Sequence, residues 1–338
     1  MIGPMENSGD LESMLMGYRV SAALSVAAEL GLSDELATGP RTVAELATAV
    51  GADEETLARL VRVLVTVGVY ADNDGAVSNT PLGEGLRSGV PGTQRPLART
   101  LQDPALWAAW GHLGHSVRTG ETAFEALHGV DVWTYRQRQP EHNAIFNDNM
   151  TARSWKIAGA VAAAYDFSGF HTVVDVGGGQ GIVLDAVLRS NDHLTGTVFD
   201  REHVVATEPE TAALAPRWSA AAGDFFAEVP PADVYLLKSI LHDWPDDRCV
   251  EILRVCAESL NPGGAILVIE AVLGQPGHEA DAAFSDLNML VLPGGRERTE
   301  DQYAALFAAA GLQLTRLVDT PTRMSILEAV KAGPLDRA

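Results

Sequence analysis

The stretch "HTVVDVGGGQGIVLDAVLRS", His171 to Ser190, constrains the fold more than any other part of the chain. A β-branched run ends in glycines and passes at once into the apolar spacing of a helix, which is the opening of a parallel α/β unit. Further strands are predicted at "HLTGTVFD", "ADVYLLKSIL" and "GGAILVIEAVL", with helical stretches between them. The region after Phe170 therefore reads as a Rossmann-like, doubly wound parallel sheet. "LQLTRLVD" and "MSILEAV" are separated only by "TPTR", so they should close the sheet as an antiparallel hairpin.

The glycine loop has its own chemistry. Gly177, Gly179 and Gly181 follow the strand directly, and glycine at a strand-to-helix turn lets the backbone approach a ligand closely. The dinucleotide pattern GxGxxG would need glycine at 182, which is Ile182. The observed GxGxG, with Asp175 two residues before it, fits a nucleoside held without a pyrophosphate. Asp200 ends the next strand, where a carboxylate can accept both ribose hydroxyls. "GDFF" then supplies Asp224 for an adenine amino group and Phe225 to cover the ring. Glycines serving only as a tight turn would explain neither acid. The set points to an S-adenosylmethionine site.

The chain of 338 residues is longer than a usual single domain. Residues 1–95 read as a mostly helical winged-helix-like unit. Val43, Leu46 and Ala47 share one apolar face, Gly51 breaks it, and Leu57, Leu60, Val61, Leu64 and Val65 form the next. "VYADNDGAVSNTPLGEGL" follows as a hairpin around Asp74 and Gly75. DNA reading is disfavoured, because the second helix opens with Asp53, Glu54 and Glu55 against only Arg59 and Arg62, and the whole chain carries a formal charge of -21. Docking or dimerisation is the expected role. Residues 96–165 read as an aromatic-rich helical connector holding Trp107, Trp110, Phe124, Trp133, Tyr135, Phe146 and Trp155, a stripe expected mostly as core, with some rings facing a pocket. Residues 166–338 form the cofactor-binding catalytic domain.

No cationic start with an apolar run opens the chain, and no apolar stretch is long enough for a membrane span, so a cytoplasmic protein without membrane contact is expected. Cys249 and Cys256 are seven apart in a helical pattern, too far for a disulfide, and read as buried thiols.

"LLKSILHDWPDD", Leu236 to Asp247, leaves a strand and breaks into polar residues. His242 sits where ligands bind in open α/β sheets, at the C-terminal end of a strand, and it reads as a general base. A metal cluster with Asp243, Asp246 and Asp247 is disfavoured, since acids after Pro245 suit a helix start; no metal is expected. Lys238 fits either a cofactor contact or a surface lysine. Asn147, Met150 and Arg153 should share a helix face, with Arg153 fitting either the cofactor's carboxylate or an ordinary surface position.

With these residues in view, the chain resembles the class I S-adenosylmethionine-dependent O-methyltransferases of the plant caffeic acid type and their bacterial relatives in aromatic polyketide and antibiotic tailoring. The resemblance covers nearly the whole chain and rests on the winged-helix dimerisation domain, "FNDNM", "VVDVGGGQG", "VFD", "GDFF", "LKSILHDWPDD" and "GGRERTE", in the family's order. It implies a homodimer, cofactor contacts at Gly177, Asp200, Asp224, Phe225 and Lys238, and His242 as catalytic base; Gly179 and Arg153 are further candidate cofactor contacts, from the glycine loop and the helix face. Glu270 and Glu297 match the acids flanking that base, with Glu297 the favoured orienting partner. Asn147, Met150, Asp243 and Met289 are the candidate substrate contacts. Met289 to Pro293 is one residue shorter than in typical plant members, and many of those have Met in place of Phe225.

The implied chemistry suits a hydroxyl acceptor. Methyl transfer from a sulfonium needs an aligned, nucleophilic oxygen, and a phenol of pKa about 10 is only about one part in a thousand ionised at pH 7. A positioned imidazole taking that proton is worth about 10²- to 10⁴-fold. The expected reaction is methylation of a phenolic hydroxyl on a small aromatic natural product. The alternative is a non-methylating use of the same cofactor, as in hydroxylation, decarboxylation or pericyclic chemistry.

Overall fold

The computed structural model describes residues 11–205 and 208–333. They divide into two units, the first of residues 1–111 and 135–152, the second of residues 112–134 and 153–338.

The first unit begins with α1 (Leu11–Leu30), followed by β1 (Arg41–Thr42), α2 (Val43–Val50), α3 (Glu54–Thr66), β2 (Tyr70–Asn73) and β3 (Ala76–Asn79). Thr42 and Glu45 close a reciprocal capping box on α2, and Asp53 accepts the Thr56 N–H at the start of α3. Gly51 at φ 66 ends α2. The faces read from sequence pack as one core of Leu32, Leu46, Leu57, Val61, Leu64 and Val77. The hairpin turns through Asp74 and Gly75, both at positive φ, as a right-twisted two-residue turn requires. With β1 added, the sheet order β1-β3-β2 completes a winged helix.

The 96–165 stretch is divided between the two units rather than forming a continuous connector. Among its aromatic residues Phe124 is buried, whereas Trp107 and Trp155 are 37% and 51% exposed. The expectation of a mostly buried stripe is corrected accordingly, since short helices serving two units leave many rings on surfaces. The long helix α4 (Pro140–Ala164) contributes its first half to the first unit and its second half to the other.

The second unit is a seven-stranded sheet of order β6-β5-β4-β7-β8-β10-β9. Its strands are β4 (Thr172–Val176), β5 (Thr195–Asp200), β6 (Trp218–Ala222), β7 (Ala232–Lys238), β8 (Leu260–Glu270), β9 (Leu312–Asp319) and β10 (Ser325–Lys331). The pairs among β4 to β8 are parallel, and β10 lies antiparallel between β8 and β9. Helices α5 (Ile182–Ser190), α6 (Asp246–Ser259), α7 (Glu279–Val291) and α8 (Glu300–Ala309) complete the unit. Cys249 and Cys256 are buried free thiols on α6. Two cores flank the sheet, one containing Tyr235, Leu237, Ile252, Leu253 and Phe307, the other Val173, Leu184, Leu188, Leu236 and Leu267.

Strand β6 escapes a sequence reading because "WSAAA" has no β-branched residue. Its place comes from parallel pairing with β5, and the preceding Arg217 is fixed by the carbonyls of Leu188, Asn191 and Leu194. The chain runs outward from β4 to β6 and then returns to β7, so strand order reverses beside β4. Ligands bind at such a reversal, outside the carboxyl ends of the strands.

Candidate active site

Two groups of side chains meet at the carboxyl ends of the central strands. The first surrounds the glycine loop. Gly177, Gly179 and Gly181 have φ of 66, 57 and 73°, where a side chain is strained. A Cβ on Gly177 would overlap Ile240, and one on Gly181 would lie 2.7 Å from Val198. At Gly179 nothing lies within 4 Å, so the loop presents bare backbone to an open face. Its N–H donates to Asp200 at 2.9 Å, while the other Asp200 oxygen accepts the Arg201 N–H at 2.7 Å. Burial raises the Asp200 pKa against the pull of those bonds. Asp224 follows β6 and faces Arg201 at 3.6 Å, and Phe225 approaches the Gly177 position. Gly177, Gly179, Asp200, Asp224 and Phe225 thus come together as the sequence suggested. The open glycine backbone, flanking acids and aromatic face fit a nucleoside.

Asp175 is enclosed beneath the loop. Burial pushes its carboxyl up to about 7, against the attraction of Lys238. Lys238 is half-buried at the end of β7; burial lowers its pKa while Asp175 opposes that shift. It is therefore not a lysine snorkelling from the surface.

The second group centres on His242, 8% exposed, in the 3₁₀ turn Leu241–Asp243 that follows β7. Glu270, the last residue of β8, is fully buried and turns one oxygen to the backbone: Oε1 accepts the N–H groups of Ile240, Leu241 and His242 at 3.0, 3.0 and 3.3 Å. Its Oε2 lies 3.5 Å from His242 Nδ1. Glu297 makes the close contact, with Oε1 2.8 Å from Nδ1. Ser285 of α7 donates to the same oxygen at 2.5 Å, and the Glu297 N–H donates to Asp286. With Nδ1 given to Glu297, Nε2 is the nitrogen left for chemistry; Asp243 stands 3.6 Å from it.

Burial alone would lower the His242 pKa, but Glu270, Asp243 and Glu297 outweigh it and raise the imidazole to about 9. Glu297 is held low despite its burial by the bond to His242, whereas desolvation raises Glu270.

Neighbours that the sequence did not single out hold this centre in shape. Arg298 is fully buried and donates to the carbonyls of Leu241 and Trp244 at 3.0 and 2.8 Å. It also binds Asp246 Oδ1 at 2.8 Å and the Arg296 carbonyl at 3.2 Å. One guanidinium thereby joins the His242 turn, the start of α6 and the Glu297 loop. Gly295 lies flush against that turn: a Cβ there would overlap the His242 carbonyl oxygen and lie 2.6 Å from the Trp244 nitrogen. Ser285, Arg298 and Gly295 carry no local pattern that marks them, since each acts across more than ten residues of chain. His242, Glu270 and Glu297 do offer oxygen and nitrogen atoms close enough for a metal ion. Glu297 Oε1 is already engaged by His242 Nδ1, and Glu270 Oε1 by three backbone N–H groups.

Of the remaining candidates, Met289 is buried on α7, four residues beyond Ser285 on the same face. Arg153 is solvent-accessible on the second half of α4 and lies in electrostatic range of Glu297, Asp243 and Arg323. Asn147 and Met150 are half-buried on the first half of α4, in the other unit.

Comparison with known proteins matches residues 110–313 to the O-methyltransferase domain and residues 12–88 to the O-methyltransferase dimerisation domain. A phenazine O-methyltransferase of Lysobacter antibioticus is 40% identical over 97% of each chain. The mitomycin biosynthesis 6-O-methyltransferase of Streptomyces lavendulae is 42% identical over 90% of this chain and 89% of its own. Among solved structures, an O-methyltransferase from neocarzinostatin biosynthesis, in complex with S-adenosylmethionine and 2-hydroxy-5-methyl naphthoic acid, superposes with a TM-score of 0.78 at 35% identity. The match covers 93% of this chain and 96% of that one.

The carboxylate ring around His242 is open to direct measurement. In an NMR titration the imidazole should change protonation near pH 9, and Glu297→Gln should move that midpoint downward by about one unit or more, because a carboxylate favouring imidazolium is lost. Gly295→Ala should move it the same way by pushing the Glu297 loop off the turn. An unchanged midpoint in both variants would contradict this account.

Proposed function

Since the chain belongs to the O-methyltransferase family, carrying both the dimerisation and the O-methyltransferase domains, we propose that His242 is the general base in methylation of a phenolic hydroxyl on an aromatic natural product. The enzyme is S-adenosylmethionine-dependent. When bound, the cofactor supplies an electrophilic methyl group on a sulfonium. Gly177 and Gly179 would give it backbone contact, Asp200 would accept ribose hydroxyls, Asp224 the adenine amino group, and Phe225 would cover the ring. Lys238 and Arg153 are the proposed cationic contacts.

The observation that carries the reading is the 2.8 Å bond from His242 Nδ1 to Glu297. It fixes the tautomer and turns Nε2 into the proton acceptor, the service a carboxylate performs for a catalytic histidine in hydrolytic triads. Raising the imidazole to about 9 brings its proton affinity near that of a phenol, whose pKa is about 10. The same shift leaves most of the imidazole protonated at neutral pH, so strength and availability of the base trade against each other. Glu270 serves the turn's backbone and the imidazolium charge together. Asp243 and Met289 are the proposed acceptor contacts beside it; Asn147 and Met150 are proposed as acceptor contacts from their helix face alone. The phenazine, mitomycin and naphthoic acid names of the relatives support an aromatic acceptor.

A homodimer is proposed through α1. Leu11, Met14, Leu15 and Tyr18 are 70, 60, 65 and 54% exposed and recur at helical spacing, an apolar face that water disfavours. No helix among the described residues is long and apolar enough to cross a membrane. Cytoplasmic placement is proposed from the two free thiols, which accord with a reducing compartment.

With a phenolic acceptor, S-adenosylhomocysteine should form one for one with methylated product. His242→Ala should lower kcat by about 10²- to 10⁴-fold while S-adenosylhomocysteine affinity, measured by calorimetry, stays within a few-fold. Turnover that survives the substitution would remove His242 from the mechanism. In wild type, kcat/KM should climb as pH rises from 7 toward 9, because the base acts only after losing its own proton; a flat profile would oppose the assignment. Light scattering should report twice the chain mass, and a combined Met14→Glu, Leu15→Glu variant should fall to monomer.

A further inference from the structure

The loop between β9 and β10 brings a second cation to the His242 centre. Strand β10 begins at Ser325, whose register partner across the sheet is Glu270. Arg323, two residues earlier, therefore leaves the sheet at the same end as the carboxylate that holds the His242 turn, and buried Met324 anchors it there. Arg323 is half-buried, and both Glu297 and Arg153 lie in its electrostatic range.

The other charges around the centre have partners. Glu297, Glu270 and Asp243 stand 2.8, 3.5 and 3.6 Å from the imidazole. Arg298 is occupied by Asp246 and backbone carbonyls; Lys238 is the exception, attracted by Asp175 without an ion pair within 4 Å among the described residues. Arg153 and Arg323 likewise form no ion pair within 4 Å among the described residues, and the charge of Arg323 adds to burial in disfavouring that of Arg153. Two arginines within electrostatic range of each other are stabilised when an anion binds near them. The cofactor brings one carboxylate, for which Arg153 is already proposed. Arg323 is left over, in a chain whose net charge of -21 and whose ring of acids would otherwise repel an anionic acceptor.

We propose that Arg323 binds a carboxylate on the acceptor, making the substrate a hydroxylated aromatic carboxylic acid held by its acid group with the ring hydroxyl presented to His242 Nε2. The inference rests on the methyl-transfer reading above. A planar guanidinium suits it, because a benzoate-type carboxylate is coplanar with its ring and can be bound by two parallel N–H donors, which fixes the orientation of the whole ring.

The test compares hydroxybenzoic and hydroxynaphthoic acids with their methyl esters as acceptors, and measures binding of the same acids to the enzyme's S-adenosylhomocysteine complex by calorimetry. Wild type should favour the acids. Arg323→Gln should lower the acid-to-ester ratio of kcat/KM by about 10- to 100-fold, chiefly through KM, and weaken acid binding in parallel. Arg323→Lys should recover part of both. An unchanged ratio in Arg323→Gln overturns the proposal. So does a loss of S-adenosylhomocysteine affinity in place of acid affinity, which would assign Arg323 to the cofactor. Equal loss for acids and esters with a displaced pH profile also overturns it, since Arg323 would then only balance the carboxylates. Efficient turnover of esters without preference for acids sinks this inference alone. Absence of S-adenosylhomocysteine formation with every hydroxylated acceptor sinks the methyl-transfer reading with it.

Discussion

One carboxylate oxygen, Oε1 of Glu270, gathers the N–H groups of Ile240, Leu241 and His242, and the rest of the site depends on it. A turn directly after a buried strand would otherwise leave those donors unsatisfied, at a cost of about 1–3 kcal/mol for each. The turn also contains Ser239 at φ 55, a left-handed conformation that costs a non-glycine residue about 1–2 kcal/mol. Glu270 offsets both. Because it closes β8, the position of His242 is referred to a strand whose last seven residues are all buried rather than to a loop.

A second layer of constraint is added from the C-terminal side. Arg298 ties Leu241, Trp244, Asp246 and Arg296 together, while Gly295 lets the loop carrying Glu297 lie against the turn without a side chain between them. Neither residue touches the imidazole. Their joint effect is to make the Nδ1 to Glu297 distance a property of packing. The centre therefore holds several like charges close together because hydrogen bonds and one buried guanidinium fix their geometry.

Much of this was legible in the sequence, for identifiable reasons. The alternation of β-branched runs with helical spacing specified the parallel sheet, and the short "TPTR" interval specified the closing hairpin. His242, Asp200 and the glycines could be found because strand ends are where such folds place function. Strand β6 was missed because alanine and serine carry little strand preference of their own; its neighbour β5 decides its conformation. The exposure of Trp107 and Trp155 was not legible because helical spacing does not say which of two units a short helix joins. Glu297 was recognised as an orienting partner, but the backbone role of Glu270 and the roles of Ser285, Gly295 and Arg298 depend on contacts spanning 12 to 57 residues. Periodicity and motif spacing contain no information at that range.

The insertion of β10 between β8 and β9 has a consequence for the order in which the molecule can be completed. Until residues 325–331 have been made, β8 has an open edge running through Ile266, Leu267, Val268, Ile269 and Glu270, all of which end fully buried. A growing chain would thus carry an unpaired apolar edge on its half-built sheet while the following segment is translated, the kind of edge that recruits other chains. Strand β10 also fixes the end of the sheet from which Glu270 reaches the His242 turn. Protection from aggregation and assembly of the reactive centre therefore arrive in one late step of synthesis.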